Sequence, residues 1–375
     1  MDPTRLIGPS SPLGFPAPYW FMAALKVLGF TLHLIPMGLW FAGILVAMIV
    51  CRRGEQPRRF AHRLMTQMPV IVALGVNFGI VPLLFIQVAY YRVFYPATIL
   101  LAWPWFAVIV LLLVAYYGVY LYALGLREAM TPARSVAGWV AAVLFVVIGF
   151  IFSNVFSLMT NLPAWAGLWM RGSVAGATTG LSLNAGDATL WPRWLLTLGL
   201  ALMTTAAYAV VDAGFFARRE PEAYRRWVRR FAGGLYALGA VWYAGASAWY
   251  VFGTWSTELR ALMSSGGMAV LTVLTAVAPL LTLVVMLAQR NEVTGALAAV
   301  VGLLQVVVLA LNAISRQVVQ NAELRRFLDV TAERLQIQWS PLVLFLLLFV
   351  AGLGVVAWMI ARALEASRQP APARR

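Results

Sequence analysis

The stretch WFMAALKVLGFTLHLIPMGLWFAGILVAMIV, residues 20–50, contains only two side chains that can carry a charge, Lys26 and His33. A helix needs about 20 consecutive apolar residues to cross a bilayer, so this stretch predicts a membrane-spanning helix close to the N-terminus. Comparable apolar runs follow along the whole chain. We therefore predict an all-α fold, a polytopic membrane helix bundle with nine transmembrane helices, at about 20–50, 69–91, 97–124, 136–158, 193–216, 231–253, 268–288, 294–314 and 341–361.

The composition agrees with this prediction. Hydrophobic residues make up 62% of the 375 residues and charged residues 11%, and the mean hydropathy is +0.83. Soluble domains carry roughly 25% charged residues, so we expect one integral membrane domain over residues 1–375, with the lipid bilayer as its main partner. The net charge of +15 does not indicate nucleic acid, because the arginines lie between apolar runs. Cys51 is the only cysteine, which excludes an internal disulfide and an iron–sulfur cluster held by cysteines of this chain.

The charges between the apolar runs predict the orientation. Five arginines fall in 51–68 and six in 217–230, and further arginines follow Arg362. Loops rich in arginine and lysine stay in the cytoplasm, so we expect the N-terminus outside and the C-terminus inside, in a bacterial inner (cytoplasmic) membrane. Two long outer loops are then expected at 159–192 and 315–339. Each is interpreted either as a solvated cap or as a docking surface for an outer partner.

His33 is the main candidate functional residue, because an ionisable side chain at membrane depth is costly and marks a functional site by default. Lys26, Phe30, His33, Met37 and Trp40 follow the spacing of one helix face. Imidazole is the usual axial ligand of a b-type haem, and Lys26, roughly 10 Å along the helix from His33, suits the haem propionates. This face therefore predicts a haem b site.

Other interpretations of these polar groups stay open at this point. His33 could be neutral and bonded to Asn77, Gln87 or a backbone carbonyl on another helix, and Lys26 could extend outward to the headgroups. Pro36 should kink the helix just past His33 and open space beside it. Asp212 is expected to form an interfacial salt bridge, with Arg218 within reach. The polar side chains Asn77, Gln87, Asn154, Gln305 and Asn312 are interpreted as contacts between helices rather than as a path.

Three stretches resemble subunit I of the cytochrome bd quinol oxidases. They are Leu32-His33-Leu34-Ile35-Pro36-Met37-Gly38-Leu39, Ala73-Leu74-Gly75-Val76-Asn77-Phe78-Gly79, and the stretch from Ser153-Asn154 to Met159. The first is similar to the helix of that family that carries a haem-ligating histidine followed by proline and Gly-Leu. Nine spans with the N-terminus outside is also the family's topology. The resemblance covers about the first 160 residues and implies that His33 binds haem.

The departures from the family are equally specific. The string that carries the family's second haem-ligating histidine is matched by Arg193-Trp194-Leu195-Leu196-Thr197, so Leu196 stands where the ligand is expected. Residues 97–124 contain none of the glutamates of the oxygen-reducing site, and the long quinol loop is reduced to about 254–267. The resemblance therefore implies a pared-down relative that is not an oxygen reductase by itself.

Together these observations predict a membrane electron-transfer subunit with at most one b-type haem. The haem would be bound by His33, Met37 and Lys26, with His33 as the metal ligand. The subunit would link the quinone pool to an outer-face haem protein such as a c-type cytochrome. Two alternatives remain. One is a haem-free anchor that organises other redox subunits. The other is a transporter or channel with 159–192 as a lid.

Overall fold

A computed structural model describes residues 2–217, 219–288 and 293–368. Nearly all of this part of the chain is helical, apart from one small hairpin. A 3₁₀ turn at Pro3–Leu6 precedes thirteen α-helices, and π turns follow α1 and α8. The elements are α1 Tyr19–Gly38, a π turn Leu39–Gly43, α2 Ile44–Val50, α3 Glu55–Ala89, α4 Tyr91–Leu100, α5 Ala102–Arg127, α6 Pro132–Leu158, α7 Leu162–Arg171, β1 Ser173–Val174, β2 Ala177–Thr178, α8 Leu190–Val211, a π turn Asp212–Phe216, α9 Glu222–Gly253, α10 Thr257–Met263, α11 Gly266–Ala288, α12 Gly295–Leu324 and α13 Trp339–Arg368.

Eight helices in the described residues are long and apolar enough to cross a membrane. They are α1 continued through α2, α3, α5, α6, α8 continued through its π turn, α11, α12 and α13. This confirms a helical, multi-pass membrane architecture. The predicted span 231–253 lies in α9, which is not among the eight. α9 nevertheless packs closely along α8, where a Cβ added to Gly199 or Gly239 would come within 2.9 Å of the facing helix.

Three predicted boundaries were wrong because hydropathy marks the apolar part of a helix and not its ends. α12 continues to Leu324, so the predicted outer loop 315–339 shrinks to 325–338. α3 already begins at Glu55, inside the predicted loop 51–68, where Arg59 pairs with Glu55 one turn away. The third predicted span merges two helices, because α4 ends at Leu100 and α5 begins at Ala102. Pro104 lies in the first turn of α5, where proline is tolerated, so it does not break that span.

One end of the bundle, here called the arginine-rich end, is held by a buried ion pair. Arg63 on α3 donates two hydrogen bonds to the carboxylate of Asp212, at 2.6 and 2.8 Å. Glu220 accepts further bonds from Arg63 and Arg59. The predicted salt bridge of Asp212 therefore forms, but with Arg63, and Arg218 lies outside the described residues. Arg63 falls in the predicted loop 51–68, so the sequence did not indicate that it could reach Asp212.

The opposite end, here called the amino-terminal end, collects the N-terminal segment and the long connections. Phe15 pairs with Leu335, and Arg92 lies 3.6 Å from Glu333. The predicted outer loop 159–192 folds into α7, the β1–β2 hairpin and a segment fixed by Asn154, whose Oδ1 accepts from the backbone N–H of Asn184 at 3.0 Å. Asn154 thus anchors this connection, in agreement with a structural role.

The helix that carries His33 changes its winding shortly after Pro36. The π turn Leu39–Gly43 begins three residues later and returns to α-helix at Ile44. Such turns insert one residue into a helix and occur often beside functional sites. Here the turn places Trp40 and Phe41 against the neighbouring helices α3, α6 and α8, so the irregularity expected from Pro36 shapes one wall of the bundle interior.

Candidate functional site

A cavity of about 400 Å³ lies between α1, α3, α5, α6, α8 and α12. Its volume falls in the range of roughly 300–1,000 Å³ that is typical of small-molecule sites. Its lining includes all five residues that the sequence placed on one face of the first helix: Lys26, Phe30, His33, Met37 and Trp40. The structure therefore turns this face inward, toward a space large enough for a ligand.

One ring nitrogen of His33 is used inside the protein. Nδ1 lies 2.8 Å from the carbonyl oxygen of Gly75 on α3, and since a carbonyl only accepts, Nδ1 carries the proton and donates. The structure thus selects the backbone carbonyl among the partners expected for His33. Nε2 has no hydrogen-bond partner among the described residues, and in this tautomer it holds a free lone pair. The ring can therefore offer one nitrogen to a ligand of the cavity.

Gly79 makes room for this ring. A Cβ built on Gly79 would lie 2.7 Å from Cε1 and 2.8 Å from Nδ1 of His33, closer than real contacts allow. Any larger residue at this position would push the imidazole away from Gly75. A glycine is therefore required at position 79, because the ring of His33 occupies the space where a side chain would lie.

Aromatic and aliphatic side chains form most of the cavity wall. Trp40 meets His33 edge to face at 5.6 Å between ring centroids and stacks on Phe145 at 5.4 Å. Met37 lies one helical turn beyond His33 on the same face. The apolar lining includes Ile80, Leu83, Ile109, Leu112, Ile148 and Phe152.

Lys26 lines the end of the cavity nearest the amino-terminal end and is buried, with 8% of its surface exposed. Its ammonium donates to Oε1 of Gln320 at 2.9 Å and lies 4.3 Å from the centre of the Tyr90 ring. The alternative in which Lys26 extends outward to the headgroups is therefore wrong. α12 continues past the predicted end of its span and covers this side chain.

Arg316 is a second cation in the cavity that the sequence interpretation missed. Its guanidinium packs 5.1 Å from the ring centres of Phe30 and Phe156, and in the described part of the chain it has no hydrogen bond or ion pair. Glu323 is near enough to act on its charge but is bonded by Arg193 at 3.1 Å and by Tyr250. Arg316 falls in the predicted outer loop 315–339, which is interpreted from the sequence either as a solvated cap or as a docking surface.

The sequence contains a pattern that indicates the part of the cavity wall formed by α12. Ala313, Arg316, Gln317 and Gln320 have the spacing of one helix face, and this face continues the apolar pattern of α12. All four line the cavity. The pattern continues for six residues, fewer than two turns, past the predicted end of the span at 314, but the polar residue types hide it from a hydropathy average.

A buried hydrogen-bonded cluster adjoins these cations. The hydroxyls of Tyr19 and Tyr90 lie 2.6 Å apart, and each is bonded to the amide of Asn321. Gln317, which lines the cavity, donates to both hydroxyls. The cluster joins α1 and α12 to Tyr90, the residue between α3 and α4, and fixes the polar end of the cavity in position.

The other residues of the resemblance are placed as follows. Trp194 and Thr197 on α8 line the cavity, whereas Leu196 is not among the lining residues and packs partly buried against the core. Among the described residues, no Asp or Glu lines the cavity. His62 is exposed on α3 at the arginine-rich end and lies far along the helix from Gly75 and Gly79.

Within the described residues no three His, Cys, Asp or Glu side chains come together as a metal site. No family model matches the sequence, and no curated protein matches it.

Proposed function

We propose that this chain is a subunit of the bacterial cytoplasmic membrane that transfers electrons through one haem b, which His33 would hold. The observation that carries the proposal is the state of the imidazole. Its Nδ1 is bonded to Gly75, and its Nε2 is left for a ligand of the adjoining cavity. Metal-bound histidines usually donate their other ring N–H to a carbonyl or carboxylate in this way, which fixes the tautomer and the ring orientation.

The remaining walls fit a porphyrin that carries two carboxylates. The aromatic and aliphatic lining would contact the macrocycle, and Lys26 and Arg316 would pair with the propionates. Met37, which lines the cavity one helical turn beyond His33, would contact the macrocycle. When bound, the haem would supply reversible one-electron transfer.

We infer that the partners lie in the membrane and at the amino-terminal end. The cavity is lined in part by Ile80 and Ile109, which are exposed on the lipid-facing surface, so a quinone can approach from the bilayer. An outer haem protein, such as a c-type cytochrome, would dock on α7 and the β1–β2 hairpin, where Trp169 and Met170 are exposed. The chain would then link the quinone pool to that protein.

We also propose nine crossings, with the N-terminus outside and the C-terminus in the cytoplasm. α9 supplies the additional crossing. At 1.5 Å per residue its 32 residues extend about 48 Å, more than the roughly 30 Å of a bilayer core. Its hydropathy is reduced by Tyr236, Tyr243 and Tyr250, yet these side chains are buried in the bundle. The arginine-rich end would face the cytoplasm.

This subunit would not reduce oxygen by itself. Oxygen reduction consumes protons, which ionisable side chains deliver to a buried site. In the described part of the chain, the cavity lining offers no Asp or Glu for this task, and Leu196 supplies no second haem ligand. Electron transfer between partners is the activity that the remaining groups support.

An absorption spectrum of the detergent-solubilised protein tests the proposal. We expect a Soret band in the native protein and in His62→Ala, and none in His33→Ala with unchanged helical circular dichroism. A colourless native protein, produced with an ample supply of haem, would contradict the proposal. Co-purification of cytochromes with colourless protein would then favour a haem-free anchor, and solute movement in liposomes would favour a transporter or channel.

A further inference from the structure

Lys26 and Arg316 place two basic side chains in the interior of a membrane protein. They meet at the same end of the cavity, because Lys26 donates to Gln320, one helical turn after Arg316 on α12, and neither is bonded to a carboxylate in the described residues. A buried charge is costly unless it is paired. Hydrogen bonding of Lys26 to Gln320 and the aromatic rings beside Arg316 offset this cost only in part. The arrangement therefore favours an anion at this end of the cavity.

The rest of the cavity has the opposite character. Beyond the two cations, Gln317 and Gln320, most of the lining is aliphatic or aromatic. A small inorganic anion would leave this space without contacts. The cavity therefore fits a molecule with an anionic head and a large apolar body.

Two residues of the cavity wall are also exposed at the surface of the helix bundle. Ile80 on α3 is 47% exposed and Ile109 on α5 is 57% exposed, yet both line the cavity. Further toward the arginine-rich end, the hydroxyl of Tyr116 on α5 donates to the carbonyl of Pro69 on α3 at 3.1 Å. An entrance at Ile80 and Ile109 would therefore lie between two apolar spans and would open to hydrocarbon instead of water.

We propose that Lys26 and Arg316 recognise the carboxylate of an apolar molecule that enters the cavity from the bilayer between α3 and α5. The proposal rests on the proposed function in using the same cavity, and it names the ligand class: a carboxylate-bearing apolar molecule. Two sources share this chemistry, the propionates of a haem and the head of a long-chain fatty acid. Arg316 is thereby assigned to ligand recognition.

Binding of matched acids and esters tests this assignment on the purified full-length protein in neutral detergent. The probes are haemin and its dimethyl ester, and palmitic acid and its methyl ester. Esterification removes the negative charge and keeps the apolar body. We expect the acid of at least one pair to bind about tenfold more tightly than its ester, because charge-assisted hydrogen bonds are lost on esterification.

Three variants locate the recognition. Arg316→Gln and Lys26→Gln should each reduce the acid-over-ester preference to about threefold or less. Arg325→Gln is the matched control, because it removes the same charge from an exposed position one residue beyond α12, and it should keep the full preference. Thermal unfolding of each variant identifies any variant that fails to fold. The comparison of acid with ester in the native protein tests the proposal even if a variant is lost.

The outcomes separate this proposal from the haem proposal. Equal binding of acid and ester in the native protein overturns the carboxylate assignment, even if haemin binds through His33. A preference that survives both Arg316→Gln and Lys26→Gln also overturns it. A preference for palmitic acid alone, without haem binding, supports the assignment while the haem proposal fails. A preference for haemin over its dimethyl ester supports both.

Discussion

The imidazole Nδ1 of His33 lies 2.8 Å from the carbonyl oxygen of Gly75, on the helix that packs beside it. The stretch that contains Gly75 also supplies Gly79, whose missing side chain leaves space for the same ring. The two short stretches around His33 and Gly75 therefore act as one unit: the first provides the ring and the second fixes its orientation.

This relationship predicts the effect of Gly79→Ala. The new methyl group would meet the ring at 2.7 Å, so the imidazole must turn away from Gly75. Disturbing such a supporting contact commonly lowers metal affinity by about 10-fold or more, and we expect a loss of this size in haem affinity, measured by haem titration.

Gly245→Ala is the matched control for Gly79→Ala. Gly245 is exposed on α9, and an added Cβ meets nothing within 4 Å. This change should leave haem affinity unaltered. Equal haem affinity in Gly79→Ala and the native protein would show that the orientation of the His33 ring against Gly75 does not affect haem binding.

The ion pair at the arginine-rich end predicts a large effect on stability. Asp212 is only 2% exposed, and Asp212→Asn would remove the negative charge that faces the guanidinium of Arg63 and one of the two oxygens that accept its hydrogen bonds. Breaking a buried pair by removing one partner typically costs about 3 kcal/mol or more, so we expect a clear drop in the free energy of unfolding in detergent.

An exposed ion pair of the same end provides the comparison. Glu222 and Arg226 are paired at 3.1 Å with more than half of each side chain exposed. Glu222→Gln should leave the free energy of unfolding nearly unchanged, because exposed pairs contribute little. Equal effects of Glu222→Gln and Asp212→Asn would contradict a structural role for the buried pair.

The part of this fold that could be predicted from the sequence is the part that hydropathy measures. Long apolar runs gave the multi-pass helical architecture, and the spacing from Lys26 to Trp40 gave one face of the cavity. A helix face is set by geometry within one segment, so local sequence suffices. The partner faces on α3 and α12 depend on which helices meet, and single-segment patterns do not contain that information.

The two misplaced arginines have one physical cause. Arg63 and Arg316 both fall in segments that were predicted as loops, although both lie in helices and contact buried groups. A charged side chain lowers the hydropathy of its surroundings whether it faces water or a buried partner. In α9 the sequence still predicts a span at 231–253, although tyrosine and glycine lower the average hydropathy while they pack inside the bundle.

The buried hydrogen bonds of Gln305 predict a smaller, local loss of stability when one of them is removed. Its Oε1 accepts from the hydroxyl of Tyr236 at 2.9 Å, and its Nε2 donates to Thr204 at 3.0 Å, so it joins α12 to α9 and α8. Tyr236→Phe removes one of these bonds, and we expect a loss of about 1 kcal/mol in the free energy of unfolding. Tyr117→Phe is the control, since Tyr117 is 70% exposed. A loss as large for Tyr117→Phe would show that the effect does not come from the buried bond.

The ninth crossing can be tested by labelling the two ends of α9. In a Cys51→Ser background, cysteines replace Arg226 near its start and Ser264 beyond its end, both exposed positions. If α9 crosses the bilayer with the arginine-rich end in the cytoplasm, a membrane-impermeant maleimide should label Ser264→Cys in intact spheroplasts. Arg226→Cys should react only after permeabilisation, and Glu128→Cys, in the loop after α5, should behave like it. Labelling of both ends of α9 from the same side would mean that α9 does not cross the bilayer. The helices that follow α9 would then have the orientation opposite to the one proposed.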